Sequence, residues 1–407
     1  MSTLQNICKL KGKVQHYSWG GTQYIPNLLG TKNPDQKPYA EYWLGAHPNH
    51  SSTVEIDGQE TALNQLIQQN KLKALGQEVV ERFGELPYLL KVLDVKQMLS
   101  IQVHPSKPSA EVGYAAENAI GIPVTAPHRN YKDENHKPEL MVALSDFWLL
   151  HGFKPADQLK EVLSAVPDFD FLLEEFEKNG YQGLYEKVML MDQEEVNQIL
   201  GLEVARVLPL YKNGELLKSQ EEFWVARAAE TFCKDGQYDR GIFSIYLFNL
   251  VHLQVGEGIY QPAQLPHAYL EGQNVEIMAN SDNVLRAGLT DKHIDVHELM
   301  KHVRFEETIP TILGAHAHEQ EEIQFKTPAP EFELYQYLLQ NGEQQLRTYS
   351  AEILLVLDGS ISVKGEGVQL SLSKGEAAFV CAGTSYQLVS NSPAEVYRAA
   401  VPQMIEE

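Results

Sequence analysis

Residues 351–390 read AEILLVLDGSISVKGEGVQLSLSKGEAAFVCAGTSYQLVS, and no other stretch limits the fold as much. Its apolar runs are short and are cut by Asp358-Gly359, Gly365-Glu366-Gly367 and Ser373-Lys374-Gly375-Glu376. Short runs between such turns fit antiparallel strands of a sandwich or barrel. Similar runs occur earlier: YLLKVLD at 88–94, MLSIQVH at 98–104 and LMVALSDFWLLHGF at 140–153. The pattern resumes in FSIYLFNLVHLQVGEGIYQPAQLPHAYLEG at 243–272. These read as buried strands, although periodicity alone does not separate a buried strand from a buried helix. The phrase G-E-x-x-x-x-x-A occurs at Gly256–Ala263 and again at Gly375–Ala382, a short likeness consistent with two related barrels.

The character changes between Asp157 and Cys233, where apolar residues recur every three or four positions among charged ones, as in QLKEVLSAV and FLLEEFEKNG. Asp192 with Glu195, and Ser219 with Glu222, have the spacing of capping boxes. The fold expected is therefore mainly β, with two antiparallel barrels and a helical insertion. A chain of 407 residues exceeds one typical domain. The division expected is residues 1–155 with 234–310 as one β unit, 156–233 as the helical insertion, and 311–407 as a second β unit.

With 33 basic and 55 acidic residues the net charge is −22, which opposes general binding to nucleic acid or to anionic membranes. A phosphorylated ligand would need a local cluster of Lys and Arg. No apolar run approaches the roughly 18 residues of a membrane span, and the N-terminal stretch lacks a secretory pattern, so a cytoplasmic location is expected. Cys8, Cys233 and Cys381 lie far apart and fit free thiols better than a disulfide framework or a Cys-rich zinc site.

Four places carry candidate chemistry. Gln102 and His104, at i and i+2 of a strand, share a face, although taken alone a satisfied polar pair is the better explanation. In Tyr131-Lys132-Asp133-Glu134-Asn135-His136-Lys137-Pro138-Glu139 the proline restricts Lys137 to extended geometry. Lys137 and Glu139 then face one side, as a base beside a metal-binding carboxylate; a solvated loop is the alternative. His267, after Pro266, would complete a set of two imidazoles, a carboxylate and an amide oxygen, suited to zinc or another divalent first-row metal. Arg286, beside Ala287 and Gly288, has a guanidinium that matches phosphate or enediolate oxygen, or else pairs with Asp282 or Glu276.

Other motifs fail. His302 stands five residues after His297, not the four of a zinc-protease helix. Gly365-x-Gly367 continues to Leu370 where a dinucleotide fingerprint needs Gly or Ala. His316-Ala317-His318-Glu319 reads as a solvated acidic linker.

Taken together, the motifs resemble those of the type I mannose-6-phosphate isomerase family, zinc members of the cupin superfamily. The resemblance rests on Tyr17-Ser18-Trp19-Gly20, Glu41-x-Trp43-x-Gly45-Ala46-His47-Pro48 and Leu99-Ser100-Ile101-Gln102-Val103-His104-Pro105. It continues through Arg129–Asp133, Asn135–Glu139, Pro266-His267-Ala268-Tyr269 and Ser281–Thr290. Order and spacing agree from about residue 15 to 297; beyond 310 the likeness is to a degenerate cupin barrel without evident metal ligands. The resemblance implies one zinc ion per chain on Gln102, His104, Glu139 and His267. It places Arg286, Lys137 and His136 as catalytic groups, and Trp19, Lys91, Ser100 and Asp282 at the substrate, with Lys91 and Ser100 as phosphate anchors or aids to ring opening. It also implies a monomeric isomerase that interconverts mannose 6-phosphate and fructose 6-phosphate through a cis-enediol, and so joins glycolysis to mannose and GDP-mannose metabolism. Two rivals are a non-catalytic cupin that senses sugar phosphates and a different metal enzyme on the same scaffold. Retention of Lys137, Glu139, His267 and Arg286 together argues against the first, and metal analysis discriminates the second.

Overall fold

Alternation along the strands decides which residues can meet. The computed structural model describes residues 4–56, 58–314 and 321–403. In strand Tyr88–Val95 every residue is buried, and the residues divide by parity. Tyr88, Leu90 and Val92 join a hydrophobic core with Leu44, Leu140, Val142, Val275 and Ile277 of neighbouring strands. Lys91 stands on the opposite face, directly across from Glu276 in strand His267–Ala279. By the same parity Glu41 and Trp43 leave that core in strand Glu41–Gly45, as Glu139 does in strand Glu139–Ala143. One sheet face is thus apolar and sealed, and the other collects charge.

These strands belong to an eleven-stranded antiparallel sheet. Its apolar face packs on an eight-stranded sheet, through Leu10, Val54, Ile353, Leu355 and Phe379. The far face of the eight-stranded sheet packs in turn on a four-stranded one, through Leu354, Val356, Ile361, Val363 and Leu388. The strands expected between 351 and 390 are all present, from Glu352–Asp358 to Ser385–Ser390. Strand Ile7–Lys11 and the hairpin of Thr53–Ile56 and Gln59–Ala62 lie in the eight-stranded sheet, with Ile7 opposite Val380 and Leu10 opposite Val54. Sheet pairing therefore joins residues 7–11 and 53–62 to the strands after 321.

The two Gly-Glu phrases form the same turn. Gly256 and Gly375 have φ of 85° and 79°. The Glu257 carboxylate accepts from the Gln254 amide and that of Glu376 from the Ser373 amide, each at 2.8 Å. An equivalent turn in each large sheet agrees with an internal repeat.

Helices Ala156–Ala165, Asp170–Leu190, Gln193–Lys212 and Glu221–Phe232 occupy the segment read as helical. They bury Leu159, Leu184, Val207 and Trp224 against Leu150, Phe153 and Leu270 of the sheet. Neither capping box forms: Asp192 is an N-cap without a side-chain capping bond, and Gln220, not Ser219, precedes the last helix. The strand reading also fails at its start after 243, because Gly241–Leu247 is a helix and the strand begins at Phe248. All seven residues of that helix are buried, so no amphipathic stripe marks it. Of the run 98–104, only Gln102–Val103 is strand. Cys8 and Cys381 are buried free thiols and Cys233 is a partly buried one. Among the described residues no helix is long and apolar enough to cross a membrane. The sequence His316–Glu319 lies outside the described residues.

A close backbone contact fixes the strand that carries Arg286. Gly288 has φ of 130°, and a Cβ there would meet the Gly241 Cα at 2.4 Å. Gly288→Ala is expected to lower unfolding free energy by about 2 kcal/mol or more, since it adds backbone strain to a clash with no flexible atom to yield. Urea denaturation measures it; an unchanged midpoint would show that the two segments can separate at no cost.

Candidate metal centre

Three acceptors converge in the polar face of the large sheet. His104 Nδ1 lies 2.7 Å from the Asn283 carbonyl oxygen, and His267 Nδ1 lies 2.9 Å from that of Leu265. A carbonyl only accepts, so each Nδ1 is the donor, and in the neutral ring each Nε2 presents a lone pair. Those lone pairs face Glu139: His104 Nε2 is 3.6 Å from Oε1 and His267 Nε2 is 3.1 Å from Oε2. Ligand atoms of the three residues all lie within 4.8 Å of one another, and all three side chains are buried. At 3.6 Å the His104 contact is beyond hydrogen-bond distance, and its Nε2 is a buried atom without a partner. Two imidazoles and a carboxylate turned inward onto one point are a ligand set for a divalent metal such as zinc.

Burial sets the protonation of this centre. It holds the His104 imidazole down at about 4, and pulls His151, cross-strand from His267, to about 3. Burial works the other way on Glu139, but the neighbouring Lys137 ammonium outweighs it and keeps the carboxyl well below its usual range. Gln102 lies in register with His267 on one side and Arg286 on the other, so amide, imidazole and guanidinium share one neighbourhood.

Around the three acceptors stands a ring of charge. Lys137 Nζ is 3.1 Å from Glu139 Oε1, the proximity its i, i+2 spacing implies. Lys91 Nζ lies 3.0 Å from Glu276 Oε2 and 3.6 Å from Glu41 Oε2. Burial disfavours the charge on Lys91, yet Glu276, Glu41 and Glu139 outweigh it and hold the ammonium above the usual lysine range. Tyr269 donates to Glu276 Oε1 at 2.8 Å, and Gln261 donates to the Tyr269 hydroxyl at 3.3 Å. Asp282 Oδ1 is 3.3 Å from His47 Nε2; Asn49 donates its amide to His47 Nδ1, so Nε2 is the protonated nitrogen. Burial raises the Asp282 carboxyl, but His47, Lys137 and Lys91 bring it below its ordinary value.

Arg286 has no ion-pair partner among the described residues, and burial pushes its pKa down. Lys132 and Lys292 are also pushed down by burial, with the Arg286 charge contributing to both. The Lys132 ammonium donates to the Val124 and Ala126 carbonyls at 2.8 and 3.3 Å.

Not every residue singled out from the sequence joins the centre. His136 turns away from Lys137, its Nε2 lying 2.7 Å from Glu331 Oε1, because neighbouring side chains on extended backbone diverge. Lys91 is hydrogen-bonded to Glu276 and lies 3.6 Å from Glu41. Trp19 stacks on Tyr17, with ring centroids 5.9 Å apart. Ser100 is half-buried just before strand Gln102–Val103. Sequence reasoning gave no site role to Glu41, His47 and Asn283 and offered Glu276 only as a partner for Arg286, although each lies in a stretch already singled out. Alternation from Lys91 and Glu139 across registered strands was the signal that would have found Glu41 and Glu276.

Residues 7–156 match the family model described as phosphomannose isomerase type I, catalytic domain. The mannose-6-phosphate isomerase of Escherichia coli is 38% identical over 383 residues, covering 93% of this chain and 95% of the relative. Mannose-6-phosphate isomerase 1 of Arabidopsis thaliana is 33% identical over 98% of this chain and 94% of the relative. The mannose 6-phosphate isomerase of Salmonella typhimurium, solved bound to fructose 6-phosphate as substrate and to a zinc atom, superposes with a TM-score of 0.87. It is 36% identical and covers 98% of this chain and all of its own.

In metal-free protein, unfolding releases His104 and His151 to bind protons near pH 6.5, whereas the folded chain refuses them until about 4 and about 3. The unfolded state then binds more protons across that window, so stability is expected to fall on acidification through it. The loss is about 1.4 kcal/mol per pH unit for each group. Urea titrations at stepped pH test this; a flat profile would mean that both rings protonate in the folded state.

Proposed function

Because the chain belongs to the type I phosphomannose isomerase family, we propose that it interconverts D-mannose 6-phosphate and D-fructose 6-phosphate at a zinc site. The observation that carries this reading is the convergence of two imidazole lone pairs and a carboxylate, with an ammonium 3.1 Å from that carboxylate. His104, Glu139 and His267 would hold the ion, and Gln102, in register with His267, would add an amide oxygen. When bound, zinc supplies a Lewis acid for the negative charge that builds on the sugar O1 and O2.

The remaining work falls to the chain. Arg286, in register with Gln102, faces the same charge from the other side, where a pre-oriented guanidinium favours the enediolate over the neutral sugar. Lys132 and Lys292 receive the phosphate, which orients the open-chain sugar. Lys137, acting as the neutral amine, takes the proton from C2 and, as the ammonium so formed, returns it to C1 of the cis-enediol, one base serving both carbons. Asp282, kept ionised and oriented by His47, accepts a hydrogen bond from a sugar hydroxyl. Glu276, Lys91 and Glu41 form a fixed ion cluster that shapes the wall. Trp19, stacked on Tyr17, and Ser100 complete the rim. The unit holding this centre comprises the eleven-stranded sheet, with the helices of 156–233 as an insertion. In the cell the reaction would exchange carbon between the fructose 6-phosphate pool and the pool that supplies mannose residues.

Fructose 6-phosphate formation from mannose 6-phosphate tests the proposal. Zinc-loaded protein should turn over and chelator-stripped protein should not. Lys137→Ala should lose about a hundredfold or more in kcat, the scale of removing a general base. Arg286→Ala should also lose kcat. Zinc-loaded, folded wild type without turnover would overturn the isomerase reading, and a nearly unimpaired Lys137→Ala would remove Lys137 as the base.

A further inference from the structure

The segment after residue 311 contributes nothing to the metal centre among the described residues, yet it touches the loop that carries Lys137. Glu331, 8% exposed, presents Oε1 to His136 Nε2 at 2.7 Å, across 195 positions of sequence. It stands on a rigid support: Ala329 and Phe332 on either side are buried in the core shared by the two large sheets. Arg82 donates to the Pro330 carbonyl at 3.1 Å and to the Pro402 carbonyl at 3.3 Å.

The loop itself is held at two points. Asn135 is tied through its carbonyl to Asn283 at 2.8 Å, through its side-chain amide to the Asn280 carbonyl at 3.1 Å, and through its side-chain oxygen to Lys107 at 2.9 Å. Ala279 donates to the Pro138 carbonyl at 3.1 Å. Between those points the tethers are the His136 ring and the ion pair of Lys137 Nζ with Glu139 Oε1 at 3.1 Å, and only the first reaches the C-terminal segment. A cavity of about 220 Å³ lies beside it, lined by Phe83, Glu85, Lys107, His136 and Glu331, so a released ring would have room to swing. Movement of His136 moves the next residue, Lys137, and a displacement of about 1 Å at a reacting group can cost a hundredfold in rate.

The geometry points to Glu331 as a positioning residue: through His136 it fixes the backbone that aims Lys137 at the substrate carbon, which gives the C-terminal sheets a part in catalysis. This rests on the reading of Lys137 as the proton-transfer base.

The test compares zinc-loaded wild type, Glu331→Ala, Glu331→Gln, His136→Ala and the Glu331→Ala/His136→Ala double variant in mannose 6-phosphate isomerisation. Amide hydrogen exchange is followed over residues 133–140. Glu331→Ala should lose about tenfold in kcat, with KM changed less than twofold and zinc content intact, and exchange should accelerate in that segment. Glu331→Gln keeps an oxygen that accepts from the ring and should recover to within about threefold of wild type. The double variant should be no worse than either single one, because both break one contact. If Glu331→Ala does not fold, Glu331→Asp, shorter by one methylene, carries the same expectation. Wild-type kcat in the shortened variants, a Gln variant as impaired as the Ala variant, or additive losses in the double variant would each overturn the proposal. Inactive wild type would instead overturn the function on which it rests.

Discussion

Lone pairs pointed at one another repel, and the interior of this protein is organised to hold three of them in place. The arrangement depends on Asn283, which is fully buried. Its carbonyl accepts a hydrogen bond from His104 Nδ1 and so directs the other ring nitrogen inward. Its side-chain amide donates to the Asp133 and Asn135 carbonyls at 2.8 Å each, and its side-chain oxygen accepts from the Lys132 amide at 2.6 Å. One residue therefore fixes the tautomer of a ligand and the path of the loop bearing both lysines. Lys137 compensates one oxygen of Glu139, but His104 Nε2 is left without a partner. A buried acceptor without a donor is costly in a dry interior, so the scaffold is adapted to a partner that brings positive charge.

The wider electrostatics follow a similar economy of distance. The inner wall holds Glu41, Glu139 and Glu276 against Lys91 and Lys137, an excess of one negative charge before any cation is bound. Beyond it lie Arg286, Lys132 and Lys292. A net charge of −22 does not keep an anion from that cluster, because exposed charges are screened over about 8 Å at physiological ionic strength. What an incoming phosphate feels is the nearest few side chains.

Much of this was legible in the residues. The Lys137–Glu139 spacing and the Pro266-His267 turn each pointed to residues that meet, Lys137 and His267 both lying 3.1 Å from Glu139, because alternation along extended chain is a hard constraint. The turns between 351 and 390 likewise imposed the strands found there. Other features were hidden for equally physical reasons. Helix Gly241–Leu247 is buried on all sides and has no period to read. His136 was grouped with Lys137 by adjacency, but adjacency on extended chain separates side chains, and Glu331, its partner, is remote in sequence. Lys91 looked like a free cation because its two carboxylates come from other strands. Register between distant strands is what local sequence does not carry.

Strand Ile7–Lys11 is paired on one side to Ala377–Val380 and on the other to Thr53–Ile56. During synthesis the first strand of the chain must wait for nearly the last before its sheet can close. At about 5–20 residues per second that wait is on the order of tens of seconds, with Ile7 and Cys8 lacking Val380 and Phe379 opposite them throughout, although Leu10 can already pair with Val54. The same long-range closure makes folding slow once the chain is complete. A nascent chain built this way is exposed to aggregation in proportion to its time on the ribosome, so a chaperone that shields the emerging N-terminal strand would act on yield rather than on the stability of the finished molecule.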